Sequence, residues 1–263
     1  QSRSSAASDV YKRQALDRGV ITHSSGNHGA ALSWAAQMKK TSCIVVMPEN
    51  ASKVKIEAVK SYGGNVVFCE PTISAREMKV QELIDEYKYT FIHPFDDYSV
   101  IAGQGSIACE LESQLQEPLD KLLIPVGGGG LISGISFFAK TNGGIASTII
   151  GAEPETARDA TDSFYSKTHV TDYKPMTIAD GLRATLGVKN FEIILKNVDE
   201  FITATESEII EAMKIIWSRL KVIVEPSAAV PLAVILNKPE YFKNERVGVI
   251  LSGGNLDLED LPW

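Results

Sequence analysis

The chain has 263 residues, of which 44% are hydrophobic and 22% charged, the make-up of an ordinary globular protein long enough to divide into two lobes. Its formal net charge of -7 argues against a nucleic-acid surface, which needs clustered positive charge. No apolar run approaches the ~18 residues of a membrane span, and the three scattered cysteines, Cys43, Cys69 and Cys109, have no CxxC spacing, so they read as reduced cysteines of a cytoplasmic protein.

Residues 1–14, QSRSSAASDVYKRQ, lack both the apolar stretch of a secretory signal and the periodicity of a structural element, and they read as foreign or unstructured sequence. From there, short β-branched runs alternate with longer amphipathic stretches. A strand at 19–23 (GVITH) leads through SSGNHG into a helix at 27–40. Strands at 42–47, 64–69 and 90–93 follow, separated by helix patterns at 51–61 and 74–88. PFDDY, at 94–98, marks a crossing from a small lobe (19–96) to a larger one (97–263). There the helix patterns 100–116, 130–140, 206–221 and 227–237 accompany strands at 121–126, 148–153, 199–204 and 246–251. Such alternation predicts an α/β fold of parallel-rich sheets flanked by helices, whose ligands gather at the carboxyl ends of the strands.

Three of those strand ends are polar or glycine-rich. HSSGNHG (23–29) places serines and an asparagine where a strand meets a helix, and a helix start offers free N–H groups and a positive dipole end to an anion. The competing reading is an N-cap, which serine and asparagine routinely supply. PVGGGGLISG (125–134) carries four successive glycines, each with an entropic cost that packing alone does not explain. They form a nest of backbone N–H groups opening onto a helix, a phosphate cradle without the Lys-Ser/Thr of a P-loop. ILSGGNLD (250–257) is again strand then glycines, with Ser252 facing the ligand cleft. Together the three ends point to one phosphorylated cofactor lying across one cleft.

In order along the chain, HSSGNHGAALSWAA, IAGQGSIACE, PVGGGGLISG, TIADGLRATLG, VEPSAAVPLA and LSGGNLD resemble the serine racemase and serine/threonine dehydratase family, from about residue 15 to the end. These are two-lobed fold-type II enzymes that use pyridoxal 5'-phosphate, related in fold to the tryptophan synthase β chain. The resemblance implies that Gly127, Gly128, Gly129, Gly130 and Leu131 donate backbone N–H groups to the cofactor phosphate. Asn27 would bond the ring hydroxyl and Ser252 would face the pyridine nitrogen, where a neutral hydroxyl makes the ring a weaker electron sink than a carboxylate would. Ser24, Ser25, Asn27 and His28 would hold the substrate carboxylate, with Arg76 and Glu77 near the substrate mouth. Ser25 is the catalytic candidate: racemases use a serine at this place on one face of the substrate α-carbon, whereas biosynthetic threonine dehydratases usually carry alanine. The segment GAEPETARDA matches a divalent-cation site, Mg, Mn or Ca, formed by Glu153, the Ala157 carbonyl and Asp159; without the resemblance the two acids read as ordinary surface carboxylates.

The resemblance also implies a homodimer acting on serine or threonine. Lys55, Ala58 and Tyr62 fit an interface ATP site, but Ala30 stands where the animal enzymes have glutamine, which argues against ATP regulation. His23, His93 and His169 read as core or surface histidines. One departure is large. The family's Schiff-base lysine lies in a motif like SFKxRGA, and SSAASDVYKRQ stands in that region here, with Lys12 lacking the flanking pattern. The expectation is therefore an N-terminally truncated chain, without part of its large lobe and inactive as written. Its full-length parent would be a serine racemase with serine dehydratase activity. The alternatives are a catabolic threonine/serine or hydroxyaspartate dehydratase, and a non-catalytic isoform acting as a binding or regulatory subunit.

Overall fold

Strands with hydrophobic side chains on both faces pair in parallel when helices cover both sides, and CIVVMP (43–48) is buried along its whole length for that reason. In the computed structural model, which describes residues 18–24, 26–142 and 144–263, this strand is β2 (Cys43–Pro48). It pairs with β1 (Val20–His23) and β3 (Asn65–Cys69), and β4 (Thr90–Phe91) pairs with β1. The sheet is wholly parallel, ordered β3-β2-β1-β4. Alternate residues serve opposite faces. Val20, Val45 and Met47 pack with Leu32 and Ala36 of α1 (Asn27–Lys39) and Val59 of α2 (Lys53–Ser61). Ile21, Ile44 and Val46 pack with Val80 and Leu83 of α3 (Ile73–Tyr87), whose N-terminus is capped by Thr72 Oγ1 accepting from Ala75 N at 3.1 Å. These elements make a first unit, the described residues up to Gly103 together with Asn255–Leu261.

The second unit holds Gln104–Gly254 with Pro262–Trp263, and α4 (Tyr98–Gln114) carries the chain into it. Its parallel sheet is ordered β7-β6-β5-β8, from β5 (Leu119–Pro125), β6 (Ala146–Pro154), β7 (Glu200–Ala204) and β8 (Val247–Val249). One face buries Leu122, Ile124 and Ile149 against Ile132 and Ile135 of α5 (Gly130–Asn142) and Ile194 of α7 (Val188–Asn197). α9 (Pro226–Asn237) is buried through Ala228, Ala229 and Ala233, small residues that let a helix come close to its neighbours. α8 (Glu206–Ile215) opens with a reciprocal cap between Thr205 and Glu208.

Each predicted strand is present, with shifted ends. The helix expected over 206–221 is cut, because after Ile215 the chain widens into a π-turn, Ile216–Leu220, closed by Lys221 at φ 59°. Two helices were not foreseen: α6 (Asp159–Ser166) and α7. α6 opens on the polar DATDS, and a buried carboxylate from β6 holds its first turn in place, a tertiary support that local pattern does not reveal. Among the described residues no helix is long and apolar enough to cross a membrane.

Candidate functional site

The tetraglycine loop leaves the end of β5 and enters α5, all within the second unit. Gly127 to Gly130 are buried and Leu131 is half-buried. Packing demands two of these glycines, contrary to the expectation that packing could not explain them. A Cβ on Gly127 would lie 2.9 Å from Leu182 Cα, and one on Gly129 would lie 2.5 Å from Leu186 Cδ1 and 2.9 Å from Asn190 Cβ. Gly129 also has φ +89°, a conformation that favours glycine. The Gly129 carbonyl accepts from Ser133 N at 2.9 Å, which joins the loop to α5. The peptide ahead of it is held through the Gly128 carbonyl, which accepts from Asn190 Nδ2 at 2.9 Å and Gly187 N at 3.1 Å. No side chain from Gly127 to Leu131 is charged, so an anion here would rely on backbone N–H groups and the helix end.

Ser252 follows β8 and is exposed. The Gly253 carbonyl accepts from Glu225 N at 3.1 Å, and a Cβ on Gly254 would lie 2.5 Å from the Ile223 carbonyl oxygen. The start of α9 therefore fixes this loop. Glu225, only 1% exposed, is a buried acid beside it that sequence reasoning passed over within VEPSAA.

Glu153 and Asp159 are 0% and 1% exposed, so the surface reading of them is excluded. Glu153 Oε1 accepts from Ala160 N at 3.2 Å, and Oε2 accepts from Thr161 N at 2.7 Å and Thr161 Oγ1 at 2.6 Å. Asp159 Oδ2 accepts from Leu186 N at 2.7 Å. Burial pushes the Glu153 carboxyl well above the usual carboxylate range, and the Thr161 hydrogen bonds only partly oppose it. Burial likewise pushes Asp159 up to about 6. Two buried acids with raised pKa values, beside the buried Ala157, are a donor set that a cation would relieve. Among the described residues no group of three or more His, Cys, Asp or Glu side chains could hold a metal, so a cation here would need carbonyl and water oxygens as well.

In the first unit, Ser24 Oγ accepts from Gly26 N and Gly29 N, both at 3.2 Å, and is thereby engaged as a cap for the start of α1. Asn27 Oδ1 accepts from Asn255 Nδ2 at 2.8 Å, a partner that nothing in the sequence announced. His28 donates to the Ile92 carbonyl, while its Nε2 is buried with no hydrogen-bond partner. Burial, helped by His93 and His23, lowers its pKa to about 4. His23 is also lowered to about 4 by burial, then by His93 and Arg76, which places the Arg76 charge beside the strand leading into SSGNHG. His93 Nδ1 accepts from Phe95 N and Asp96 N. Of the ATP-type residues, Lys55 is buried and Tyr62 exposed. Ser25, Lys12 and the segment 1–14 lie outside the described residues.

The family described as pyridoxal-phosphate dependent enzyme matches residues 4–253. The chain is 46% identical over 246 residues to the beta-hydroxyaspartate dehydratase of Paracoccus denitrificans, covering 94% of this chain and 78% of the relative. It is 47% identical over 252 residues to the serine racemase of Dictyostelium discoideum, covering 94% and 76%. The crystal structure of the Dictyostelium serine racemase superposes with a TM-score of 0.88 at 44% identity, over 97% of this chain and 82% of that one.

Proposed function

The chain belongs to the pyridoxal-phosphate-dependent enzyme family, and from that premise we propose that its protein interconverts the enantiomers of serine and also dehydrates serine. The observation that carries this reading is Ser25 in SSGNHG, a hydroxyl at the place the racemases use, in a chain 47% identical to one of them. What supports the glycine loop as the holder of the cofactor's phosphate is its backbone donors, a glycine at φ +89° and a helix start, with no charged side chain from Gly127 to Leu131. Bound pyridoxal phosphate would supply the electron sink that lets the substrate Cα–H bond break.

On this reading the chain's own groups divide the work. The N–H groups of Gly127–Leu131 hold the phosphate. Asn27, whose Oδ1 accepts from Asn255, would bond the ring hydroxyl. Ser252 offers the pyridine nitrogen a neutral hydroxyl. The start of α1 takes the substrate carboxylate, with Ser24 shaping the loop and neutral His28 lining it. Ser25 removes or returns a proton at Cα on one face. A divalent cation sits at Glu153, the Ala157 carbonyl and Asp159. The protein works as a cytoplasmic homodimer.

A second reading has specific support. Arg76 lies close enough to influence His23, and a relative 46% identical acts on beta-hydroxyaspartate, whose extra carboxylate an arginine would pair. Chiral chromatography after incubation with L-serine separates the two: D-serine with pyruvate supports the racemase, whereas turnover of hydroxyaspartate alone supports the dehydratase. The 263 residues contain no lysine in an SFKxRGA setting, and we propose that they do not catalyse by themselves. Titration with pyridoxal phosphate followed by borohydride reduction tests this. A reduced adduct on one specific lysine would overturn it.

A further inference from the structure

We infer that Asn190 is a positioning residue for phosphate recognition, acting through the Gly128 carbonyl; the inference rests on the reading of Gly127–Leu131 as a phosphate cradle. Asn190 is 0% exposed in the first turn of α7, where a buried amide is costly unless it is bonded. Its Nδ2 donates to the Gly128 carbonyl at 2.9 Å, across 62 residues of sequence. The same oxygen accepts from Gly187 N, one residue before α7, at 3.1 Å.

The consequence lies in the peptide plane. No cis peptide occurs among the described residues, so the carbonyl of Gly128 and the N–H of Gly129 point in opposite directions. With the carbonyl held by two donors at the start of α7, the Gly129 N–H is directed away from that helix. Gly129 itself cannot shift toward α7, because Leu186, Asn190 and Ile194 already fill the space where a Cβ would lie. A glycine-rich loop has many accessible conformations, and its N–H groups bind an anion well only if they are aimed before it arrives. Asn190 supplies that aim from outside the loop, touching no ligand. Nothing in the motif PVGGGGLISG indicates it.

The test uses the 263-residue chain with pyridoxine 5'-phosphate, which has no aldehyde to react with surface lysines, and pyridoxine as its phosphate-free control. Asn190→Leu keeps the side-chain volume but removes the donor, and Asn190→Asp keeps the polarity while turning the donor into an acceptor. Both should bind pyridoxine 5'-phosphate about tenfold more weakly, the effect of one misdirected amide–phosphate hydrogen bond. Binding of pyridoxine should be unchanged, a selectivity that general loosening of the fold would not produce. Gly187→Pro removes the second donor at a residue whose φ of -72° already suits proline, and it should act in the same direction even if the Asn190 variants fold poorly. Equal affinity of parent and variants for the phosphate ester would overturn the inference and leave the cradle standing. A parent chain that binds ester and alcohol equally would overturn the cradle, and the inference with it.

Discussion

His28 shows what the first unit asks of single residues. Its ring donates to the Ile92 carbonyl, its Nε2 is buried without a partner, and burial holds its pKa down to about 4, as it does for His23. A charged His28 would stand near His23 and His93, with Arg76 close to His23, and burial with these neighbours outweighs the Ile92 carbonyl, which favours the protonated ring. The sign follows from linkage. The unfolded chain takes up these protons near pH 6.5 and the folded chain only near pH 4, so the stability they contribute is fully present above pH 6.5 and is lost as pH falls toward 4. Each such histidine steepens the loss by up to about 1.4 kcal/mol per pH unit. Urea unfolding at pH 7.0 and pH 4.5 should show this fall, and His28→Gln should reduce it. An unchanged difference in the variant would mean that the buried ring is not what titrates. On the proposed reading, a neutral His28 would leave the substrate carboxylate to backbone N–H groups and the helix end rather than to an imidazolium charge.

Between elements, α6 and α7 form a latch that links the acidic pair to the glycine loop. Asp159 at the start of α6 holds the Leu186 N–H, and the next residue, Gly187, holds the Gly128 carbonyl. An ionised acceptor makes the stronger hydrogen bond, yet burial raises Asp159 to about 6 and favours its neutral form. Without a cation, the contribution of Asp159 is therefore most favourable while it is protonated and is lost as pH rises from about 4 through about 6. A shift from 3.8 to about 6 corresponds to roughly 3 kcal/mol. A divalent cation would hold the carboxylate ionised and tighten the latch. Chelation at pH 5.5, where Asp159 without a cation is mostly protonated, should then weaken pyridoxine 5'-phosphate binding several-fold, and Asp159→Asn should make that affinity insensitive to added Mg²⁺. Equal affinity with and without chelator would sever the acidic pair from the cradle.

At the scale of the whole chain, legibility followed the range of the interactions involved. Buried parallel strands such as SCIVVM read as short apolar runs rich in β-branched residues, and the glycine loops stood out because glycine is costly without a reason. Asn190 and Asn255 were invisible because their partners lie 62 and 228 residues away and a lone asparagine has no pattern. α6 escaped because its support comes from Glu153 on a strand. The same distinction between local and distant partners predicts how a ligand spreads its effect. Each unit has its own parallel sheet and its own buried core, two clusters in the first unit and one in the second, and every group named in the proposed phosphate cradle and its latch belongs to the second. On the proposed reading, inorganic phosphate at about a hundred times its dissociation constant would stabilise whatever unfolds together with the cradle by about 2.7 kcal/mol. Amide exchange of Leu122–Ile124 in β5 and of α7 should slow by up to about a hundredfold, while Ile44–Met47 in β2 should exchange at its former rate. Equal slowing in β2 would show that the two sheets open as one cooperative body, so that the cradle's ligand stabilises residues with no part in holding it.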